Sequence, residues 1–190
     1  GVLVPEVWQA VARETQLPEL RKTTRDIPVY EDLMDYRLDI LHKQGITLTD
    51  IQNEIAKLKP LDGAKDFLDW AGERFQVAII SDTFYEFAGP LMVQLGDPFL
   101  LCHRLIVEDD RVVGYKLRQT DPKRHSVKAF KSLDLKVIAA GDSFNDVSML
   151  EEADHGIFFQ APENVRAQFP QYPLAADYAQ LQALIEEAVG

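Results

Sequence analysis

The fold class read from the sequence is α/β: a doubly wound parallel sheet with a small helical cap and a β-hairpin insertion. Three observations predict it. Short apolar runs at Phe75 to Ser81, Val137 to Gly141 and Gly156 to Gln160 have the length and continuity of buried parallel strands. Helical patterns stand between them, and strands alternating with helices imply a parallel sheet with both faces covered. From Pro5 to Pro60, by contrast, the pattern is helical throughout with no strand candidate. The expected division is a helical cap over residues 5–60 and a core formed by residues 1–4 and 61–190.

Taken in order, Val2-Leu3-Val4-Pro5 reads as the exit from a strand, and Val7, Ala10 and Val11 begin an amphipathic turn. A longer helix runs from about Tyr30 to Gln44 and stops at Gly45, a residue suited to a left-handed C-terminal cap. Thr49 followed by Gln52 signals a capping box for a helix through Leu58. Beyond Pro60, a helix near Gly63 to Glu73 leads into the Phe75–Ser81 strand, and a helix from about Glu86 ends at Gly96. Phe99 to Cys102 is a further strand, and Arg104 to Leu117 alternates around Asp109-Asp110 as a hairpin. A helix from Pro122, the Val137 strand, a helix after Asp146, the Gly156–Gln160 strand and a closing helix from about Tyr178 complete the pattern.

Composition narrows the function classes. A chain of 190 residues, 46% hydrophobic, can bury a core and carry a small accessory domain. A formal charge of −11 argues against a nucleic-acid backbone or an anionic membrane surface as partner. No apolar run has the length of a membrane span, and no signal peptide is visible. Cys102 is the lone cysteine and cannot form an internal disulfide, which fits a reducing, cytoplasmic compartment. His42, His103, His125 and His155 show no ligand spacing and read as surface or structural residues.

Chemistry concentrates in Val137 to Leu150, where Asp142, Asn145 and Asp146 crowd the turn between a strand and a helix. In open α/β sheets ligands bind at that end of the strands. Two carboxylates and an amide suit a hard cation such as Mg²⁺, with helix capping as the alternative role. Ser81-Asp82-Thr83 ends the first clear strand and is expected to face the same crevice, where a hydroxyl can donate to phosphate or cap a helix. Lys123 and Arg124 follow Asp121-Pro122 at a helix N-terminus, where the macrodipole disfavours cations. A docked anion would offset that penalty; solvated surface charge is the alternative. Arg37, four residues from both Leu33 and Leu41, falls on an apolar stripe. It either snorkels or pairs with a neighbouring carboxylate, or, if the stripe faces the crevice, grips a substrate carboxylate. Glu6 suits a substrate ammonium group or serves as a first-turn dipole partner.

Together these residues resemble the haloacid dehalogenase superfamily of phosphotransferases. The second motif of that superfamily, a strand ending in Ser or Thr, is matched by Ile79-Ile80-Ser81. Its helix-borne Lys is matched by Lys123, and its Gly-Asp-x-x-x-Asp by Gly141 to Asp146. The Gly-Asp-x-x-Asn-Asp form, the helical cap and Arg37 resemble the phosphoserine phosphatase family, and most of all its bifunctional phosphoserine phosphatase/homoserine phosphotransferase branch. That similarity covers nearly the whole chain, notably Thr23 to Pro28, Ser81 to Phe87 and Asp121 to Arg124.

The resemblance implies a HAD-like Rossmannoid core and Mg²⁺-dependent transfer from phosphoserine through an aspartyl-phosphate, to water or to homoserine. It implies that Asp142 binds Mg²⁺ with Asp146 behind it, and that Asn145 lies near the phosphate or the metal ligands. Ser81 and Lys123 are implied to hold phosphoryl oxygens, and Glu6 and Arg37 to read the ammonium and carboxylate of phosphoserine. Asp82 and Thr83 stand where ordinary phosphoserine phosphatases carry a glycine pair, so they are expected to touch the substrate backbone. Small molecules are the implied partners, in serine and threonine biosynthesis, with monomer and homodimer both open. The family's first motif, Asp-x-Asp or Asp-x-Glu, does not occur in the sequence. It is expected immediately upstream of Gly1, and the 190 residues alone are expected to be inactive. A phosphatase for another small phosphate ester and a catalytically silent phosphate-binding module stay open as alternatives.

Overall fold

The computed structural model describes residues 1–23, 26, 27 and 29–190. Thr24, Arg25 and Pro28, part of the Thr23–Pro28 run that carries some of the resemblance, lie outside the described residues. The elements begin with α1 (Val7–Glu14), a 3₁₀ turn (Pro18–Arg21), α2 (Tyr30–Gln44), α3 (Leu48–Ala56) and α4 (Ala64–Gly72). Next come β1 (Ile79–Phe84), α5 (Tyr85–Gln94), β2 (Leu100–Glu108), β3 (Arg111–Lys116) and α6 (Pro122–Ser132). They close with β4 (Ile138–Gly141), a 3₁₀ turn (Phe144–Asp146), α7 (Val147–Glu152), β5 (His155–Phe159), α8 (Glu163–Arg166), β6 (Leu174–Ala175) and α9 (Tyr178–Val189). Backbone contacts divide the chain into two compact units. The first joins Gly1–Leu3, Leu61–Ile80 and Gln119–Gly190; the second joins Val4–Pro60 and Ser81–Arg118.

In the first unit β4, β5 and β6 form a parallel sheet, with Ala140 opposite Ile157 and Phe158 opposite Leu174. Successive side chains of a strand point to opposite faces. Phe158 accordingly enters an apolar cluster with Val127 of α6 and Val147 and Leu150 of α7. Ile157 and Phe159 enter another with Phe67 of α4 and Leu181 and Ile185 of α9. Helices therefore cover both faces, which is the doubly wound arrangement expected.

In the second unit α1, α2, α3 and α5 pack with the β1-β2-β3 sheet around Met34, Leu41, Ile51, Phe84, Phe87 and Leu105. The β2-β3 hairpin turns at Asp109 and Asp110, whose φ values of 47° and 62° make the left-handed pair that a two-residue turn requires. The Asp110 carbonyl accepts from the Leu48 amide at 2.7 Å, and its carboxylate accepts from the Thr49 amide and hydroxyl. Those bonds seat the hairpin tip on the start of α3. They are one reason that residues 81–118, expected with the core, group by contact with residues 4–60.

Three local expectations differ from what is observed. The strand expected over Phe75–Ser81 runs from Ile79 to Phe84 and shares its sheet with β2. Phe75 instead completes the end of α4, its amide bonded to the Ala71 carbonyl at 2.8 Å and its ring set edge-on to Trp70. The capping box of α3 is Thr47 with Asp50, not Thr49 with Gln52; the Gln52 amide reaches the Glu86 carbonyl. The strand at Phe99–Cys102 and the first arm of the hairpin are one continuous strand, β2. Among the described residues, no helix is long and apolar enough to cross a membrane.

Candidate active site

The first unit assembles its polar residues on the turn that leaves β4. Asp146, closing the 3₁₀ turn, is buried, and its carboxylate is held by four donors. Oδ2 accepts from the Asp142 amide at 2.9 Å and from the Ser143 amide and hydroxyl at 3.0 Å, and Oδ1 accepts from Lys123 Nζ at 2.7 Å. The approach is so close that Gly141 must lack a side chain: a Cβ there would lie 2.9 Å from Asp146 Oδ2 and nearer still to its Cβ and Cγ. Burial pushes the Asp146 carboxyl up. The Lys123 charge and the hydrogen bonds from Lys123 and the two amides outweigh burial and hold it below the usual carboxylate range.

Lys123 and Arg124 thus have carboxylate partners at the start of α6. The Lys123 and Asp146 side chains are 10% and 8% exposed, and Arg124 pairs with Glu152 at 2.9 Å. Asp121 precedes Pro122 as expected, yet its side chain does not cap the helix; it accepts from the Ser148 hydroxyl at 2.8 Å. Asn145 is exposed on the same turn.

Asp142 differs from Asp146 in being open. Its side chain is 27% exposed. Among the described residues no three His, Cys, Asp or Glu side chains converge on a metal cage. Mg²⁺ does not need one, because it binds through one or two carboxylates and completes its shell with water and phosphate. A partly exposed carboxylate at the end of a strand fits such an ion. Asp146, with its oxygens committed to four donors, fits the task of holding the turn beside it.

The second unit carries the other candidates. Ser81, Asp82 and Thr83 follow one another on β1, and the Ser81 hydroxyl accepts from the Thr83 amide at 3.3 Å, which leaves its own hydrogen free to donate. Arg37 is buried on α2. Its Nη2 donates to the Lys22 carbonyl at 2.7 Å, and its guanidinium lies 4.4 Å from the Trp8 ring centre. Its Nε is buried and has no hydrogen-bond partner among the described residues. Burial lowers the Arg37 pKa to about 10, opposed by Tyr30 and by the nearby Glu6 carboxylate. Glu6 itself is exposed at the start of α1.

Sequence reasoning passed over Tyr30, His103 and Ser143. The Tyr30 hydroxyl donates to the Asp82 carbonyl at 3.2 Å, and His103 Nε2 lies 4.0 Å from Asp82 Oδ1. The available signal was alternation on β2, which puts His103 in register with inward Leu105. Cys102 is buried, and burial pushes its thiol up to about 12, so it is no nucleophile at neutral pH.

Comparison with known proteins adds an independent line. The family model for haloacid dehalogenase-like hydrolases matches residues 5–154. The chain is 62% identical to phosphoserine phosphatase ThrH of Pseudomonas aeruginosa, over 96% of this chain and 89% of that protein. It is 61% identical to a phosphoserine phosphatase of Pseudomonas syringae pv. tomato, over 96% of this chain and 77% of that protein. Among solved structures, a phosphoserine phosphatase from T. onnurineus in complex with NDSB-201 superposes with a TM-score of 0.71 at 27% identity, over 95% of this chain and 87% of that one.

Proposed function

We infer the function from one premise: the chain belongs to the haloacid dehalogenase-like hydrolases. On that premise we propose a phosphoserine phosphatase that passes the phosphoryl group through an aspartyl-phosphate to water or to homoserine. Relatives more than 60% identical that carry the name phosphoserine phosphatase support the first half of this reading. The observation that carries it within the chain is Arg37, a buried guanidinium whose Nε has no hydrogen-bond partner among the described residues. An unsatisfied buried donor costs free energy unless a ligand meets it, and the planar guanidinium fork suits a carboxylate such as that of an amino acid.

The roles follow from chemistry. Arg37 receives the substrate carboxylate and Glu6 its ammonium group. Ser81 donates its hydroxyl hydrogen to a phosphoryl oxygen, with Asp82 and Thr83 next to it along the substrate backbone. Lys123, held by Asp146 at 2.7 Å, offers a second donor, this one positively charged. Asp142 would hold Mg²⁺, with Asn145 beside it and Asp146 fixing the turn. When bound, that ion supplies charge neutralisation at the phosphoryl oxygens. The family's nucleophile motif is not among the 190 residues, so these are the roles of the groups around the attacking carboxylate. The choice between water and homoserine is then one of positioning, since an oriented acceptor competes through its effective concentration. In this reading the partners are small amino acids and their phosphates, met in the cytoplasm, and residues 5–60 act as the cap.

The test uses protein expressed from its complete reading frame, with phosphoserine and Mg²⁺, with and without homoserine, and with a chelator as control. Free phosphate without homoserine, homoserine phosphate with it, and loss of both in chelator are expected. Formation of neither product with Mg²⁺ present would overturn the proposal.

A further inference from the structure

In the first unit the start of α6 is joined to α7 by more than Lys123. Asp121, the residue ahead of the helix, has φ 44° and ψ 59°, a left-handed conformation that is costly for a residue with a Cβ. Pro122 follows it, and a proline steers the residue before it towards extended backbone. An aspartate in such a place ordinarily turns its side chain to the nearby backbone and caps the helix. The Asp121 carboxylate does not cap α6; it accepts from the Ser148 hydroxyl at 2.8 Å, 27 residues further along the chain. Strained backbone persists where its surroundings fix it, and the bond to Ser148 is what fixes Asp121.

That bond runs beside the one that holds Lys123. Lys123 follows Asp121 by two residues, Ser148 follows Asp146 by two, and Lys123 Nζ donates to Asp146 at 2.7 Å. Arg124, next along, reaches Glu152 at 2.9 Å. The Asp121 carbonyl accepts from the His125 amide at 3.1 Å, a bond of the first helical turn. One residue thus begins α6 with its backbone and ties it to α7 with its side chain. Below these bonds Val127 packs with Val147 and Leu150. Apolar contact is non-directional, so it holds two helices together without fixing how one slides or turns along the other. The Asp121–Ser148 bond supplies that direction, and Lys123 lies in the turn it directs.

We propose that Asp121 is a positioning residue for Lys123. Held in its left-handed conformation by Ser148, it sets the register of α6 against α7, so that Lys123 meets Asp146 and brings its charge to the phosphoryl group. This inference deepens the proposed phosphoryl transfer and rests on that reading.

The experiment uses three variants in complete-frame protein with Mg²⁺ and phosphoserine. Ser148→Ala removes the donor, and Asp121→Gly keeps the left-handed backbone but removes the acceptor. Asp121→Asn keeps an acceptor oxygen on a residue that tolerates that backbone. Ser148→Ala and Asp121→Gly should each lower kcat about tenfold with KM within about twofold of wild type, as expected when a group that acts in the transition state is misplaced. Asp121→Asn should restore most of kcat. A strap that serves stability alone would lower the thermal midpoint and leave kcat unmoved, and that result in Ser148→Ala would overturn the role. So would a change confined to KM, or an Asp121→Asn as impaired as Asp121→Gly. Side-chain ¹H–¹⁵N spectra supply a readout that needs no turnover. The Lys123 ammonium signal should exchange slowly in wild type and in Asp121→Asn and broaden in Ser148→Ala; an identical signal in all three would refute the proposal. Wild-type protein without phosphoserine turnover would contradict the proposed function, and the spectra would still decide the part played by Asp121.

Discussion

At the scale of single residues, the pair with the most at stake is Lys123 with Asp146. Both side chains are buried and joined at 2.7 Å, so removing one takes a charged hydrogen bond from the other in a water-poor setting. Lys123→Met should cost about 3–5 kcal/mol of stability by urea unfolding, as should Asp146→Asn, and the double variant should cost less than the sum. Acid sensitivity follows with a definite sign. Asp146 has a folded-state pKa below its unfolded one, so its contribution is present above about pH 4 and fades as pH falls through the folded value. In chelator, the wild-type thermal midpoint should therefore drop more steeply below pH 4 than that of Asp146→Asn. Gly141→Ala should cost about 1–3 kcal/mol in the same assay, because the added methyl collides with Asp146. The importance of the Gly-Asp-x-x-Asn-Asp run was legible in the sequence. That Asp146 would spend its oxygens on Lys123 and three local donors was not, since residues 123 and 146 meet only through folding.

Among the elements, helices were more legible than strands. The α2 helix starts and stops where its pattern says, with Gly45 at φ 67° as the left-handed cap. Gly45→Ala should cost about 1 kcal/mol through that backbone angle alone, because open space surrounds the position. The closing helix α9 docks through Tyr178, whose ring stacks on Phe159 at 4.7 Å and Phe67 at 5.2 Å while its hydroxyl donates to the Val2 carbonyl at 2.6 Å. Tyr178→Phe should cost about 1 kcal/mol and Tyr178→Ala about 3–5 kcal/mol, read as thermal midpoints. The start of β1 was misplaced because Phe75 to Ala78 are as apolar as the strand that follows. The Arg74 and Phe75 amides, both bonded back to the Ala71 carbonyl, mark the helix end ahead of the strand. The tiny β6 strand has too few residues for any period to show.

For the whole molecule, alternating strands and helices sufficed to read the doubly wound sheet, because β5 buries residues on both faces and reads as a continuous apolar run. The grouping of residues 81–118 with the helical segment was not legible, since it depends on bonds such as Leu48 with Asp110, far apart in sequence. The functional account rests on a phosphatase that reads both charges of an amino acid, and a panel of phosphate esters tests this most directly. With Mg²⁺ and protein from the complete reading frame, kcat/KM for phosphoserine should exceed that for esters lacking either the carboxylate or the ammonium group by about 10–100-fold, the worth of one charged hydrogen bond. Equal turnover of phosphoserine and such truncated esters would contradict the account.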